Sequence, residues 1–165
     1  MIIKSLQKNN GFVILYAVTL AAILLSVSLG VANITLKEIK FGTSARDTND
    51  AFFAADTGSE CAFLNDKSTA TVFVSSPSTT TINCSGNSIA VTRTPGLSFW
   101  SFVVPGLNNG KQGCAKVTVD KTLLMDTTHY IVTSKGYNNG SGGSSPDWTC
   151  TPGSNAVERQ IESKY

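Results

Sequence analysis

Apolar residues are crowded into the first quarter of the chain, and the rest alternates short β-branched runs with Gly, Pro, Asn and Ser. No charged residue lies between Lys8 and Lys37, and 12–36 is largely Val, Ile, Leu and Ala. As an α-helix this stretch is roughly 37 Å long, against a hydrocarbon core of about 30 Å, so it is long enough to cross a bilayer. It exceeds the apolar core of an ordinary secretory signal, and no small-residue cleavage site ends it. Beyond Leu36 no proline intervenes before Pro77. Phe41, Ala45, Thr48, Phe52, Ala55, Ser59 and Ala62 recur in steps of four and three, predicting that the helix continues to about Leu64 with this face against the following domain. Ala54, Ala55 and Gly58 are small enough to let a sheet approach closely.

From Ala70 onward the pattern predicts strands at 71–75, 79–83, 88–93, 99–104, 115–120, 130–135 and 156–162. In Ala115-Lys116-Val117-Thr118-Val119 the alternation is clean, giving a sheet with one dry and one wet face. The Gly- and Ser-rich segment 136–146 is expected to be an exposed loop. The fold class is therefore α+β: a long N-terminal helix, transmembrane in its first half, packed on an antiparallel β-sheet domain. The expected divisions are a leader at 1–11, a membrane helix at 12–36, its amphipathic continuation at 37–66 and an extracytoplasmic β-rich domain at 67–165.

The four cysteines, Cys61, Cys84, Cys114 and Cys150, are widely separated, and His129 is the chain's single histidine. Zinc ligands usually come in close pairs, so no metal site is expected; two disulfides, with three connectivities open, are the favoured reading and free buried thiols the alternative. Positive charge flanks the apolar segment on both sides and does not orient it. A large polar domain with four cysteines belongs outside the cytoplasm, which puts the N-terminus inside. The formal charge of +2 comes from interspersed acids and bases, so no basic stripe favours nucleic acid. His129 has Asp126 nearby but no nucleophile motif accompanies it, and an ordinary strand-edge histidine is the expectation. The protein reads as a non-enzyme without a cofactor.

The junction Lys8-Asn9-Asn10-Gly11-Phe12, a basic polar leader ending in Gly before an uncharged helix, resembles the class III leader of type IV prepilins and pseudopilins. The run Arg46-Asp47-Thr48-Asn49-Asp50-Ala51-Phe52-Phe53-Ala54-Ala55-Asp56 is similar to the N-terminal segment of PilX-type minor pilins. The resemblance covers about the first third of the chain and implies a pilin-like fold. It also implies cleavage after Gly11 by a prepilin peptidase, methylation of Phe12, and assembly through the retained helix. Most pilins carry Glu at the fifth mature position, and here that position is Tyr16. PilX-type pilins and tip pseudopilins also lack that Glu, so a minor subunit is implied. Gly30 falls where the resemblance implies local melting of the helix in a filament; simple tolerance of Gly in a membrane helix is the alternative. Implied partners are other pilin subunits, the prepilin peptidase, the pilus assembly platform and the membrane. The resulting localisation is a single-pass cytoplasmic-membrane protein that moves to a pilus or the cell surface on assembly. The rival function is a membrane-anchored binding or adhesion module that never enters a filament.

Overall fold

A computed structural model of the chain describes residues 10–68, 72–73, 79–121 and 130–164. Helix α1 spans Asn10–Lys67. Eight strands follow: β1 Thr79–Cys84, β2 Asn87–Arg93, β3 Phe99–Leu107, β4 Gly113–Asp120, β5 Ile131–Tyr137, β6 Ser141–Ser144, β7 Asp147–Cys150 and β8 Glu158–Lys164. The chain divides into two compact units at Ser44/Ala45. In the first unit, every described side chain from Phe12 to Ser44 is exposed.

In the second unit, six strands form one sheet in the order β1-β2-β3-β4-β5-β8, while β6 and β7 pair as a separate hairpin. All neighbours are antiparallel. The β1–β2 connection is a two-residue turn in which Ser85 and Gly86 both have positive φ, 50° and 77°. That geometry matches the right-handed twist of the strands it joins. The β3–β4 register slips between Val104 and Leu107. Pro105 and Gly106 occupy the irregularity, where a residue without an N–H is tolerated and where Gly106 takes a φ of 68°.

One face of the sheet is dry. Trp100, Phe102 and Val104 of β3 sit opposite Val119, Val117 and Ala115 of β4, and all six are buried with Ile89, Val91 and Val132. The 45–67 part of α1 covers this face through Ala51, Ala54, Ala55, Gly58, Ser59, Cys61 and Ala62, all buried. The approach is close because glycines are present on both sides. A β-carbon on Gly58 would lie 2.8 Å from Val117 and 2.9 Å from Ala115, and one on Gly136 would collide with the backbone of Ala51 and Ala55.

This contact corrects part of the expected helical face. Ala55, Ser59 and Ala62 are on it, but Phe52 is 48% exposed and Phe41 80%. With the sheet so close there is room for methyl groups and none for a benzyl ring, so the buried stripe turns to Ala51 and Ala54.

Two other expectations change. The segment 136–146 is not a plain loop: Gly136 and Tyr137 complete β5 and are buried, and Ser141–Ser144 forms β6. Gly and Ser suit this hairpin because Gly143 has a φ of 80° and lies tight against the backbone of Asp147, Trp148 and Thr149. Of the expected strand at 71–75 only 72–73 are described, and they form a bend in which Phe73 is buried.

Candidate functional site

The α1 residues expected to serve processing and assembly, Gly11, Phe12, Tyr16 and Gly30, lie in the first compact unit. Gly11 and Phe12 fall in the first turns of the helix. Phe12 is 78% exposed and Tyr16 59%. A β-carbon at Gly30 would meet nothing within 4 Å, so no close contact among the described residues demands glycine there. The helix carries four Ser and Thr hydroxyls in its apolar part, and each is turned back onto its own backbone. Thr19 donates to the Tyr16 carbonyl at 2.9 Å, Ser26 to Ile23 at 2.8 Å, Ser28 to Leu24 at 2.7 Å and Thr35 to Val31 at 3.0 Å. Internally satisfied hydroxyls are what a helix needs where water is absent. By length and composition α1 is apolar enough to cross a membrane.

The cysteines pair as Cys61–Cys84 and Cys114–Cys150, with Cα separations of 5.9 and 5.7 Å. This selects one of the three connectivities left open by the sequence. The first bridge ties α1 to β1; the second ties β4 to β7 and so holds the hairpin to the sheet. Around the second bridge Tyr137 and Val103 pack in a small cluster separate from the main core. Tyr137 Oη donates to Glu158 Oε2 at 2.6 Å. Burial, then this hydrogen bond and the carboxylate charge, push the phenol up to about 12. The same hydrogen bond, with help from Lys135 at 3.4 Å, holds the Glu158 carboxyl below its ordinary value.

No family model, curated protein or solved structure matches the chain. Function must therefore be argued from the residues themselves. Among the described residues no cluster of three or more His, Cys, Asp or Glu side chains gathers in metal-binding geometry. His129 and Asp126 lie outside the described residues.

A feature that strand-by-strand reading missed is a groove of about 420 Å³ on the sheet face away from α1. Its floor is formed by outward-facing side chains of β2, β3 and β4, and one wall by the β6–β7 hairpin. The hairpin is fixed to the sheet by several bonds. Pro146 O accepts from Ala90 N at 2.9 Å, and Ser88 O accepts from Trp148 Nε1 at 2.9 Å. Ser141 Oγ accepts from Gly106 N at 2.9 Å, which satisfies a donor freed by the β3 irregularity. The only sequence signal for the hairpin was the pairing of Trp148 and Cys150 with a Gly-rich run, and composition alone read that run as a loop.

Proposed function

We propose that the chain is a structural subunit, a minor pilin or pseudopilin, of a type IV pilus-related filament. On this reading it is inserted with its N-terminus in the cytoplasm, cleaved after Gly11 and assembled through the retained helix that begins at Phe12. The observation that carries the proposal is the combination at the N-terminus. The basic leader with Lys4 and Lys8 ends in Gly11, and directly behind it stands a charge-free helix whose large apolar side chains, from Phe12 to Leu36, are all exposed. So much apolar surface requires cover by lipid or by other protein. A cleavage that spares this helix leaves it free to exchange the first for the second. The absence of a carboxylate at Tyr16 removes an ionisable group that would be costly in lipid and points to a low-copy position rather than the shaft.

The partners on this reading are other pilin subunits, the prepilin peptidase and the assembly platform, and the second unit is displayed outside the membrane. The test is mass spectrometry of the mature protein from cells that contain a prepilin peptidase. The expected N-terminus is Phe12, N-methylated, and the chain should co-purify with sheared filaments. Gly11→Leu should block processing and leave membrane insertion intact. An uncut N-terminus beside an active peptidase, or absence of the chain from the filaments, rejects the assignment.

A further inference from the structure

Strand register places three hydroxyl-bearing residues side by side on the face away from α1. Thr92 of β2 is opposite Ser101 of β3, and Ser101 is opposite Thr118 of β4. Neighbouring strands are about 4.8 Å apart, so the hydroxyls form a row crossing the strands at that interval. All three line the groove, together with Lys116, Asp147 and the half-buried Trp148. Thr118 Oγ1 donates to Thr133 O at 3.3 Å and keeps its acceptor capacity.

We propose that this groove binds an uncharged oligosaccharide lying across β2, β3 and β4. Four features select that chemistry. A row of hydroxyls both donates and accepts, which complements a polyol along its length. Trp148 supplies an aromatic wall for the C–H faces of sugar rings, and its Nε1 is committed to Ser88 O, which fixes the ring's orientation. Lys116 and Asp147 contribute one charge of each sign, so the groove has no net field to draw a polyanion or polycation. The hairpin wall is fastened by hydrogen bonds and by the Cys114–Cys150 bridge, so little has to be ordered on binding. An extended peptide is disfavoured because it binds by adding to a sheet edge. This groove lies on a sheet face, where β3 is paired with β4 from Phe99 to Leu107 and with β2 at Trp100 and Ser101.

The test uses the full chain in nanodiscs, titrated with cellohexaose, chitohexaose and maltohexaose. The two tryptophan indole N–H resonances are followed by NMR. Saturable binding of at least one hexasaccharide is expected at millimolar affinity or tighter, moving the Trp148 signal and sparing Trp100 of the core. The double variant Thr92→Val/Ser101→Ala removes two hydroxyls from exposed or half-exposed positions and should weaken binding about tenfold or more with no change in unfolding midpoint. The proposal is overturned if none of the three sugars saturates, if the double variant binds as the parent does, or if a proline-rich decapeptide occupies the groove in their place. A Trp148 shift that tracks protein concentration without sugar would assign the groove to a second copy and also overturn it. None of these outcomes depends on leader cleavage or filament entry.

Discussion

The backbone carbonyl of Ala51 occupies the space that a β-carbon on Gly136 would need. The obstructing atoms belong to the backbone of α1, at Ala51 and Ala55, and cannot swing aside as a flexible side chain would. Gly136→Ala must therefore push the helix off the sheet or bend β5. The expected loss is about 2–3 kcal/mol, at the upper end of overpacking costs. Denaturant unfolding of the full chain in detergent, followed by the fluorescence of buried Trp100, measures it. An unfolding midpoint equal to that of the parent would show that the helix is held less closely than this contact requires.

The same interface contains a hydroxyl whose removal should help. Ser134 is fully buried, and its Oγ has no hydrogen-bond partner among the described residues. A buried unsatisfied polar atom is destabilising by about 1–3 kcal/mol, and the loss of one oxygen's contacts offsets part of that. Ser134→Ala is expected to raise stability by about 1 kcal/mol in the same unfolding assay. A decrease would reveal a partner for the hydroxyl.

How much of this was legible beforehand depends on range. The alternation in 115–119 located β4 because strand period is local, and the small residues Ala54, Ala55 and Gly58 announced a close helix–sheet contact. The phase of the buried stripe was not local. It depends on how near Gly136 brings β5, more than seventy positions further on, and so Phe52 was wrongly turned inward. The Trp148 groove was hidden for the same reason. Its floor is a row across three strands, which exists only once Thr92, Ser101 and Thr118 are in register, and its wall was concealed by a composition typical of loops. The pairing of Cys61 with Cys84 likewise required the fold, since four cysteines admit three connectivities.

Tyr137 and Glu158 give two opposite pH predictions. The phenol is raised from 10.0 to about 12, first by burial and then by its bond to Glu158, so the folded state holds that proton more tightly than the unfolded chain. Its stabilising contribution is complete below pH 10 and is lost as pH rises toward 12. The Glu158 carboxyl is lowered, first by the bond from Tyr137. Its contribution is present above the ordinary carboxyl value of 4.5 and is lost as pH falls through the depressed one. In Tyr137→Phe, carbon-detected NMR titration should show the Glu158 carboxyl moving up toward 4.5, and the highest of the tyrosinate absorbance transitions should vanish. An unmoved Glu158 would assign its shift to Lys135 instead.

The two disulfides should fail differently when removed. Cys114–Cys150 closes a separation of 36 residues and holds the β6–β7 hairpin, whereas Cys61–Cys84 closes 23 and holds α1 to the edge strand β1. The chain-entropy model puts each at about 3–4 kcal/mol. Replacing Cys114 and Cys150 by Ser should accelerate amide exchange over 141–150 more than over β2–β4. Replacing Cys61 and Cys84 should lower the midpoint of the whole unit, because it loosens the helix that covers the core. Equal exchange profiles in the two variants would contradict this division.

Lys121 and Asp66 provide the sharpest case of a buried charge that cannot be removed singly. Their ion pair joins the end of α1 to the residue after β4, with both side chains nearly buried, at 10% and 7% exposure. The Lys121 ammonium also lies 5.6 Å from the centre of the Phe73 ring, 5.8 Å from Trp100 and 4.2 Å from Tyr130. Aromatic faces stabilise a desolvated cation, and Asp66 supplies the opposite charge. Lys121→Met would keep the apolar stem and take the cation away from the nearly buried Asp66 carboxylate, at an expected loss of about 3–5 kcal/mol. The double variant Lys121→Met/Asp66→Leu removes both charges and should recover most of that loss, because much of the penalty comes from a nearly buried carboxylate that has lost the Lys121 cation. Unfolding midpoints of the parent, the two single variants and the double variant form a complete cycle. If the single and double variants were equally destabilised, the aromatic contacts of Lys121 rather than its pairing with Asp66 would be what secures this end of the helix.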